Sequence, residues 1–506
     1  MTAVEKIRQL RIIMKARGVA AMVIPSTDPH QGEYVGPHWR AREWVSGFTG
    51  SAGTLVLTLR HAGLWTDGRY FIQAELELRG SGIRLFKGRE PGVPAVNEWI
   101  AGQLQPGQVV ALDGRLVSMD AVREMKKAFA GKTLRLRVGE DLVGRIWQDR
   151  PLPACTTAFD FPVKFTGQGR AAKLAAVRKG LRAANADGLL LASLDDIAWL
   201  FNIRGHDIAH SPVVQAFALV GMKHAVLFVN PAQIPGLLAR KLAAAGVICR
   251  PYSAVVAYLK TLTSIKRLSL NARRINQVLA NALPKSLRLI ESSTDITSEL
   301  KAVRNPVEQV NVRHAALLDG LALVRFLAWV ERTLEAGGSV TEYEAGVRLE
   351  AIRKESPEYQ DDSFSVICGY GANAAMIHYS AGIGNAVKLR RKGLFLVDSG
   401  GNYFEGTMDT TRTVSLGAVP WRARRDFTLV LKGLIALTRA RFPAGTTGTH
   451  LDAIVRAPLW AQGADFKHGS GHGVGSYLNV HEGPQGISSH WNAVALKSGM
   501  VVTIEP

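Results

Sequence analysis

The sequence predicts an α/β protein in three segments, the last of them α+β in texture. Three observations carry this. The chain has 506 residues, enough for about three domains of roughly 150 residues, each able to bury a core. Hydrophobic residues make up 47% and charged residues 21%, an ordinary globular balance that excludes disordered, collagen-like and coiled-coil chains. Helix and strand periodicities alternate through the first two segments, whereas short strands between glycine-rich turns fill the end of the third. The segments are expected at 1–155, 160–303 and 305–506.

The first segment opens on an amphipathic helix, because Ile7, Leu10, Ile13 and Met14 recur at helical spacing. Gly18 ends it, and 20–24 reads as a buried strand. Strands follow at 54–59 and 63–66, then a helix over 70–77. Pro151, Pro153 and Pro162 mark a linker. The second segment starts with a basic helix over 170–184, a strand at 188–192 and the run LDDIAWL from Leu194. Its alternation repeats that of the first, so the two are expected to be duplicated α/β units, although no strong residue-level repeat is visible. The third begins near Asn305-Pro306 with a long helix over 307–334, whose apolar positions include Val310, Leu317, Leu321 and Val324. A second helix spans 342–355. Strands are expected at 363–368, 393–398, 402–405 and 411–416. A helix over 421–441 follows, and the chain closes on a strand pattern at 499–506.

Composition narrows the functional classes. Cys155, Cys249 and Cys368 are the only cysteines and form no CxxC, which excludes a disulfide scaffold and fits a reducing cytosol. No apolar run precedes a small-residue cleavage site near Met1, so no signal peptide is expected. The best membrane candidate, 216–230, is interrupted by Lys223 and His224 and is too short to span. The net charge is +20, diffuse and heaviest in the middle third. Such an excess can serve an anionic partner. The basic residues are scattered, and no RNP-type motif or zinc finger accompanies them, so a solvated basic surface is the expectation and nucleic acid is not.

Ligand-type side chains concentrate in four stretches of the third segment: Met376-Ile377-His378-Tyr379; LVDSGGNYFEGTMDTTRTV, with Asp398 and Asp409; HGSGHGVGSYLNVHEGP, with His468, His472 and His481; and Ile504-Glu505. Asp398 and Asp409 each border an apolar strand, with Gly400-Gly401 between them suited to a tight connection. Two carboxylates on one face of a hairpin would repel and force one pKa upward unless a divalent cation lay between them. Taken singly, each Asp reads as a turn cap before it reads as a ligand. His472 sits among glycines at 469, 471, 473 and 475. These disfavour a helix, so His468 and His472 are not expected to act as a helical zinc pair. A phosphate-cradling loop is the rival reading, but no Lys-Ser/Thr follows.

Taken as a set, these stretches resemble the metallopeptidase family with the pita-bread fold, which includes methionine aminopeptidase, prolidase and aminopeptidase P. The resemblance is strongest to the long, three-domain, cytosolic type of Xaa-Pro aminopeptidase. Upstream, WVSGFTGSAG (44–53), WTDGRY (65–70) and LDDIAWLFNIRG (194–205) resemble its two creatinase-like N-terminal domains.

The resemblance implies two divalent metal ions, most readily Mn2+, held by Asp398, Asp409, His472 and Glu505. A carboxylate-rich set suits such a hard ion. It implies that a metal-bound water, its pKa lowered to roughly 7, attacks the scissile carbonyl, with Glu505 accepting the proton. His378 and His481 would bind or polarise the substrate carbonyl, and His468 would line the pocket. The implied substrate is a peptide with proline second. A bond before proline lacks an N–H and is fixed near φ −65°, which defeats general peptidases and calls for a dedicated site. A cytoplasmic location is implied, and relatives are often dimers. A prolidase-type dipeptidase and a non-catalytic pita-bread binding protein are the alternatives. The family pattern continues past Glu-Pro to a fifth ligand, a second Glu, which does not occur before Pro506. The sequence is therefore expected to be a fragment, or a truncated chain with weak or no activity.

Overall fold

The helix–strand alternation of the first two segments resolves into two six-stranded mixed sheets of one topology, in a computed structural model that describes residues 1–506. The first sheet runs in the order Arg84–Lys87, Ala62–Thr66, Thr54–Thr58, Ala21–Pro25, Val109–Leu112, Arg135–Val138. The second runs Val247–Arg250, Ala225–Val229, Ala216–Gly221, Gly188–Leu191, Arg267–Leu270, Arg288–Glu291. In each, the first strand in sequence lies inside the sheet, antiparallel to one neighbour and parallel to the other. The expected duplication is thus a duplication of topology.

The strand chemistry follows from this placement. Met22 and Ile24 face one apolar cluster with Leu10, Met14 and Leu55, while Ala21 and Val23 face another with Val56, Trp65 and Phe129. A strand covered on both faces reads as a continuous apolar run instead of an alternation. Both sheets belong to one compact unit, Met1–Asp160, Arg170–Ala209 and Val213–Thr297. His30 ties them: its ring is buried, with Nδ1 3.0 Å from the Ala192 carbonyl and Nε2 3.0 Å from the Tyr252 hydroxyl.

The second unit comprises Phe161–Gly169, His210–Pro212 and Ser298–Pro506. Its long helix, Pro306–Glu335, starts where Asn305 caps the Val307 and Glu308 amides and Glu308 reaches back to the Asn305 N–H, the reciprocal pairing of a capping box. Thr341 and Glu344 do the same for the helix Glu342–Arg353. These two helices bury Phe326, Val330, Leu349 and Ile352 against Phe395 and Val397 of the strand Leu394–Ser399. That strand pairs with Ile367–Tyr370 on one side and Thr410–Ser415 on the other. A smaller sheet holds Tyr359–Asp362, Gly401–Tyr403 and Gly406–Thr407. Helices Trp421–Thr438 and Gly448–Trp460 follow. No helix is long and apolar enough to cross a membrane.

Four expectations are corrected. Val310, Leu317, Leu321 and Val324 point to solvent, at 57–69% exposure. The helix carries two apolar stripes, and the one that meets the core runs through Ala315, Ala322, Leu323, Phe326 and Val330. Periodicity alone does not say which stripe meets the core. The strand expected at 363–368 starts later, at Ile367, because Ser363 leaves the ladder to bond Gly400 and Met408. Gly400-Gly401 is no hairpin turn: residues 400–409 run through the smaller sheet before the chain returns to pair. The closing strand at 499–506 is reduced to isolated bridges from Met500 to Val303 and from Val502 to Gly473.

Candidate metal centre

Asp398 lies on the strand Leu394–Ser399, where Phe395, Val397 and Ser399 turn into the core and Leu396 and Asp398 share the opposite face. The buried face is pinned by Arg353, wholly buried, which donates to Asp319 at 2.9 Å, Asp362 at 3.2 Å and Ser399 Oγ at 3.0 Å. Asp398 is in register with Ile367 and Thr411. Asp409 reaches the same place because Gly400 lets the backbone close in. A Cβ at Gly400 would stand 1.8 Å from the Met408 carbonyl oxygen, so no other residue fits.

His472 sits in a two-residue strand paired with Gly486–Ile487. The segment ending in Glu505 is laced to it. Thr503 N donates to the His472 carbonyl at 2.8 Å, His472 N donates to Thr503 Oγ1 at 3.0 Å, and Glu505 N donates to the Ser470 carbonyl at 2.9 Å. Gly471 permits this approach, since a Cβ there would lie 2.1 Å from the Thr503 carbonyl oxygen. Ser470 in turn donates to Asp452 at 2.5 Å, and Arg456 ties Asp452 (2.7 Å) to the His468 carbonyl (2.6 Å), anchoring the loop on the helix Gly448–Trp460.

These elements bring side chains together. Asp409, His472 and His481 offer ligand atoms that all lie within 4.8 Å of one another. His472 Nε2 is 3.2 Å from Asp409 Oδ2 and 3.3 Å from Glu505 Oε1. The His472 and His481 rings meet edge to face at 4.3 Å. His472 Nδ1 stands 2.8 Å from the Gly473 carbonyl. A carbonyl only accepts, so Nδ1 carries a proton and Nε2 is directed at the carboxylates.

The electrostatics of the cluster favour a bound cation. Burial, then the charges of Asp409 and Glu505, pushes the Asp398 carboxyl up to about 7, and its Oδ1 is buried without a hydrogen-bond partner. Burial and Asp409 also raise Glu505. Burial alone would lower His472, but Asp409 and Glu505 overcome it and push the imidazole up to about 9. Three carboxylates and two imidazoles packed together fit a hard divalent cation, which would stabilise the ionised acids and displace the Nε2 proton.

The sequence-predicted residues divide as follows. Asp398, Asp409, His472 and Glu505 converge, and His481, expected beside the substrate, stands inside the cation-sized triad itself. His378 and His468 lie outside that triad. The His468 ring packs on Phe466 at 4.6 Å between centroids, and its Nδ1 donates to the Gly469 carbonyl at 2.8 Å. Sequence reasoning missed the supporting residues Arg353, Thr411 and Thr503. Arg353 left a signal, falling one turn after the buried Leu349 on the core face of its helix.

Comparison with known proteins gives the class first. Residues 310–506 match metallopeptidase family M24, and residues 6–137 and 149–308 each match the creatinase/prolidase N-terminal domain. Aminopeptidase P2 of Arabidopsis thaliana is 37% identical over 99% of this chain and 75% of its own length. A probable Xaa-Pro aminopeptidase P of Verticillium alfalfae is 38% identical over 99% of this chain and 84% of its own. The crystal structure of the Caenorhabditis elegans X-prolyl aminopeptidase, described as a cytosolic enzyme with a di-nuclear active site, superposes with a TM-score of 0.96 at 33% identity, covering 100% of this chain and 85% of that one. The chain belongs to the Xaa-Pro aminopeptidase branch of metallopeptidase family M24.

Proposed function

We propose that the protein is a metal-dependent aminopeptidase that releases the N-terminal residue from peptides with proline in second position. The observation that carries this is the convergence of Asp409, His472 and His481 with Asp398 and Glu505, in a chain 33% identical along its whole length to the C. elegans enzyme. Asp398, Asp409, His472 and Glu505 would hold two divalent cations, with manganese favoured by the oxygen-rich donor set. When bound, the cations supply Lewis-acid activation of water and of the scissile carbonyl. Within the protein, Gly473 fixes the His472 tautomer. Glu505, raised by burial and Asp409, is the proton acceptor. His378 and His481 orient the substrate carbonyl, and His468 lines the approach.

The division 1–155, 160–303 and 305–506 is proposed as the domain organisation, supported by the two sheets of one topology and by the three matched stretches. A cytoplasmic setting and a homodimer complete the reading, with no role assigned to nucleic acid. The test is a peptide series with and without Mn2+. Whatever turnover the protein shows is expected to be chelator-sensitive and to favour Arg-Pro-Pro over both Arg-Ala-Ala and the dipeptide Arg-Pro. Equal turnover of Arg-Ala-Ala, or indifference to chelation, contradicts the reading.

A further inference from the structure

The segments that carry the cluster share a support that none of the cluster residues supplies. Glu482 directly follows His481, and its carboxylate meets two buried cations. Its Oε2 lies 3.2 Å from Lys301 Nζ and its Oε1 3.4 Å from an Arg304 guanidinium nitrogen. The three side chains are 1–3% exposed. The same guanidinium donates to the Val474 carbonyl, two residues past His472, and to the Lys301 carbonyl at 3.0 Å. The Arg304 amide donates to the Gly499 carbonyl at 2.9 Å, on the segment that leads to Glu505. The Glu482 amide donates to the Gly473 carbonyl at 2.9 Å, closing the His481 segment onto the His472 segment. The side chains of one buried ionic group therefore join the His472 and His481 segments, and the Arg304 backbone joins them to the segment that leads to Glu505.

We infer that Lys301, Arg304 and Glu482 form an ionic brace whose task is positioning: it sets His472 and His481 against Asp409, and so the cation affinity of the centre. Lys301 and Arg304 precede the stretch that matches the metallopeptidase family and lie within the one that matches the N-terminal domain. The inference rests on the metal-centre reading above and goes beyond it by assigning a determinant of that centre outside its ligands. The physical ground is that a buried charge stripped of its partner is not tolerated in place. The loops are thus held at the geometry in which all three charges are met. Outer partners of this kind commonly govern metal affinity about 10- to 100-fold.

The experiment uses the full chain and Mn2+ titration calorimetry. Glu482→Gln, Lys301→Met and their double variant are compared with the unsubstituted chain, with Asp409→Asn and with Leu349→Ala, a core truncation in the same unit. Glu482→Gln is expected to weaken Mn2+ binding about 10-fold or more. The double variant should lose no more than Glu482→Gln does, because Lys301 acts through Glu482. Glu482→Asp, which keeps the charge, should recover part of the loss, and Leu349→Ala should destabilise the fold without changing the affinity. Should Glu482→Gln unfold, Lys301→Met and Glu482→Asp carry the comparison. Unchanged Mn2+ affinity in Glu482→Gln, or an equal loss in Leu349→Ala, overturns the brace. If the unsubstituted chain takes up no Mn2+, the metal-centre reading fails separately, and amide exchange then judges the brace. Faster exchange confined to 472–476 and 481–487 in the variants upholds it, and unchanged exchange there overturns it.

Discussion

Lowering the pH from 8 to 6 should strip the cation from this cluster, and the structure sets the size of the effect. A metal ion needs Nε2 of His472 free of its proton and Asp398 ionised. Without metal, His472 stands at about 9 and Asp398 at about 7. Both values are raised, so the metal-free protein holds protons that binding must release, and affinity rises with pH. Between pH 8 and 6 the His472 requirement costs about 90-fold in apparent affinity and the Asp398 requirement about 10-fold. Together they give roughly a thousand-fold, or about 4 kcal/mol. Calorimetry with Mn2+ in buffers of different ionisation enthalpy measures both the affinity and the protons released. At pH 7 between one and two protons should leave per binding event. An affinity that changes less than about 5-fold across that range, with no proton release, would falsify the electrostatic picture of the centre.

Other outcomes follow from the same geometry. Asp398→Asn should abolish metal binding while stabilising the metal-free protein at pH 8. Because the Asp398 carboxyl is raised from 3.8 to about 7, folded-state stability falls as pH climbs through that interval, by roughly 4 kcal/mol at the upper end. Denaturant titration at pH 4 and pH 8 should show the variant free of that fall. Gly400→Ala would place its Cβ 1.8 Å from the Met408 carbonyl oxygen, so it should cost at least about 1–3 kcal/mol and displace Asp409, read as lost Mn2+ binding. Arg353→Met leaves Asp319 and Asp362 without their buried cation, with an expected loss of about 3–5 kcal/mol in a melting curve. On the long helix, Phe326→Ala should cost about 3–5 kcal/mol, whereas Leu317→Gln should change stability by less than about 0.5 kcal/mol; the reverse order would restore the apolar stripe first read from the sequence.

Much of the molecule was legible in the chain because its signals are local. Glycine and proline punctuation and runs of aliphatic residues place most elements within a few residues. The four proposed ligands came as a set only through the family resemblance; taken singly, Asp398 and Asp409 read as turn caps, and only His472 stood among glycines. What stayed hidden depends on distant partners. Arg304 meets Glu482 across 178 residues of chain, and no local pattern marks either as buried. Gly400 was read as a turn residue, whereas its real task is to admit the Met408 carbonyl, a contact between backbones that pairing rules do not reveal. The stripe of Val310 and Leu317 shows a further limit: periodicity identifies a helix, but the neighbours decide which face is covered. His481 was placed beside the substrate by resemblance, and only the folded geometry puts its ring against that of His472.

The account depends on four side chains, drawn from a paired strand, its neighbour, a glycine-rich loop and the final residues, sharing cations. The direct measurement is an anomalous difference map recorded at the manganese edge from crystals grown with Mn2+. Peaks enclosed by Asp398, Asp409, His472 and Glu505 are the predicted result. A map with no peak there, or with manganese bound only elsewhere, contradicts the account.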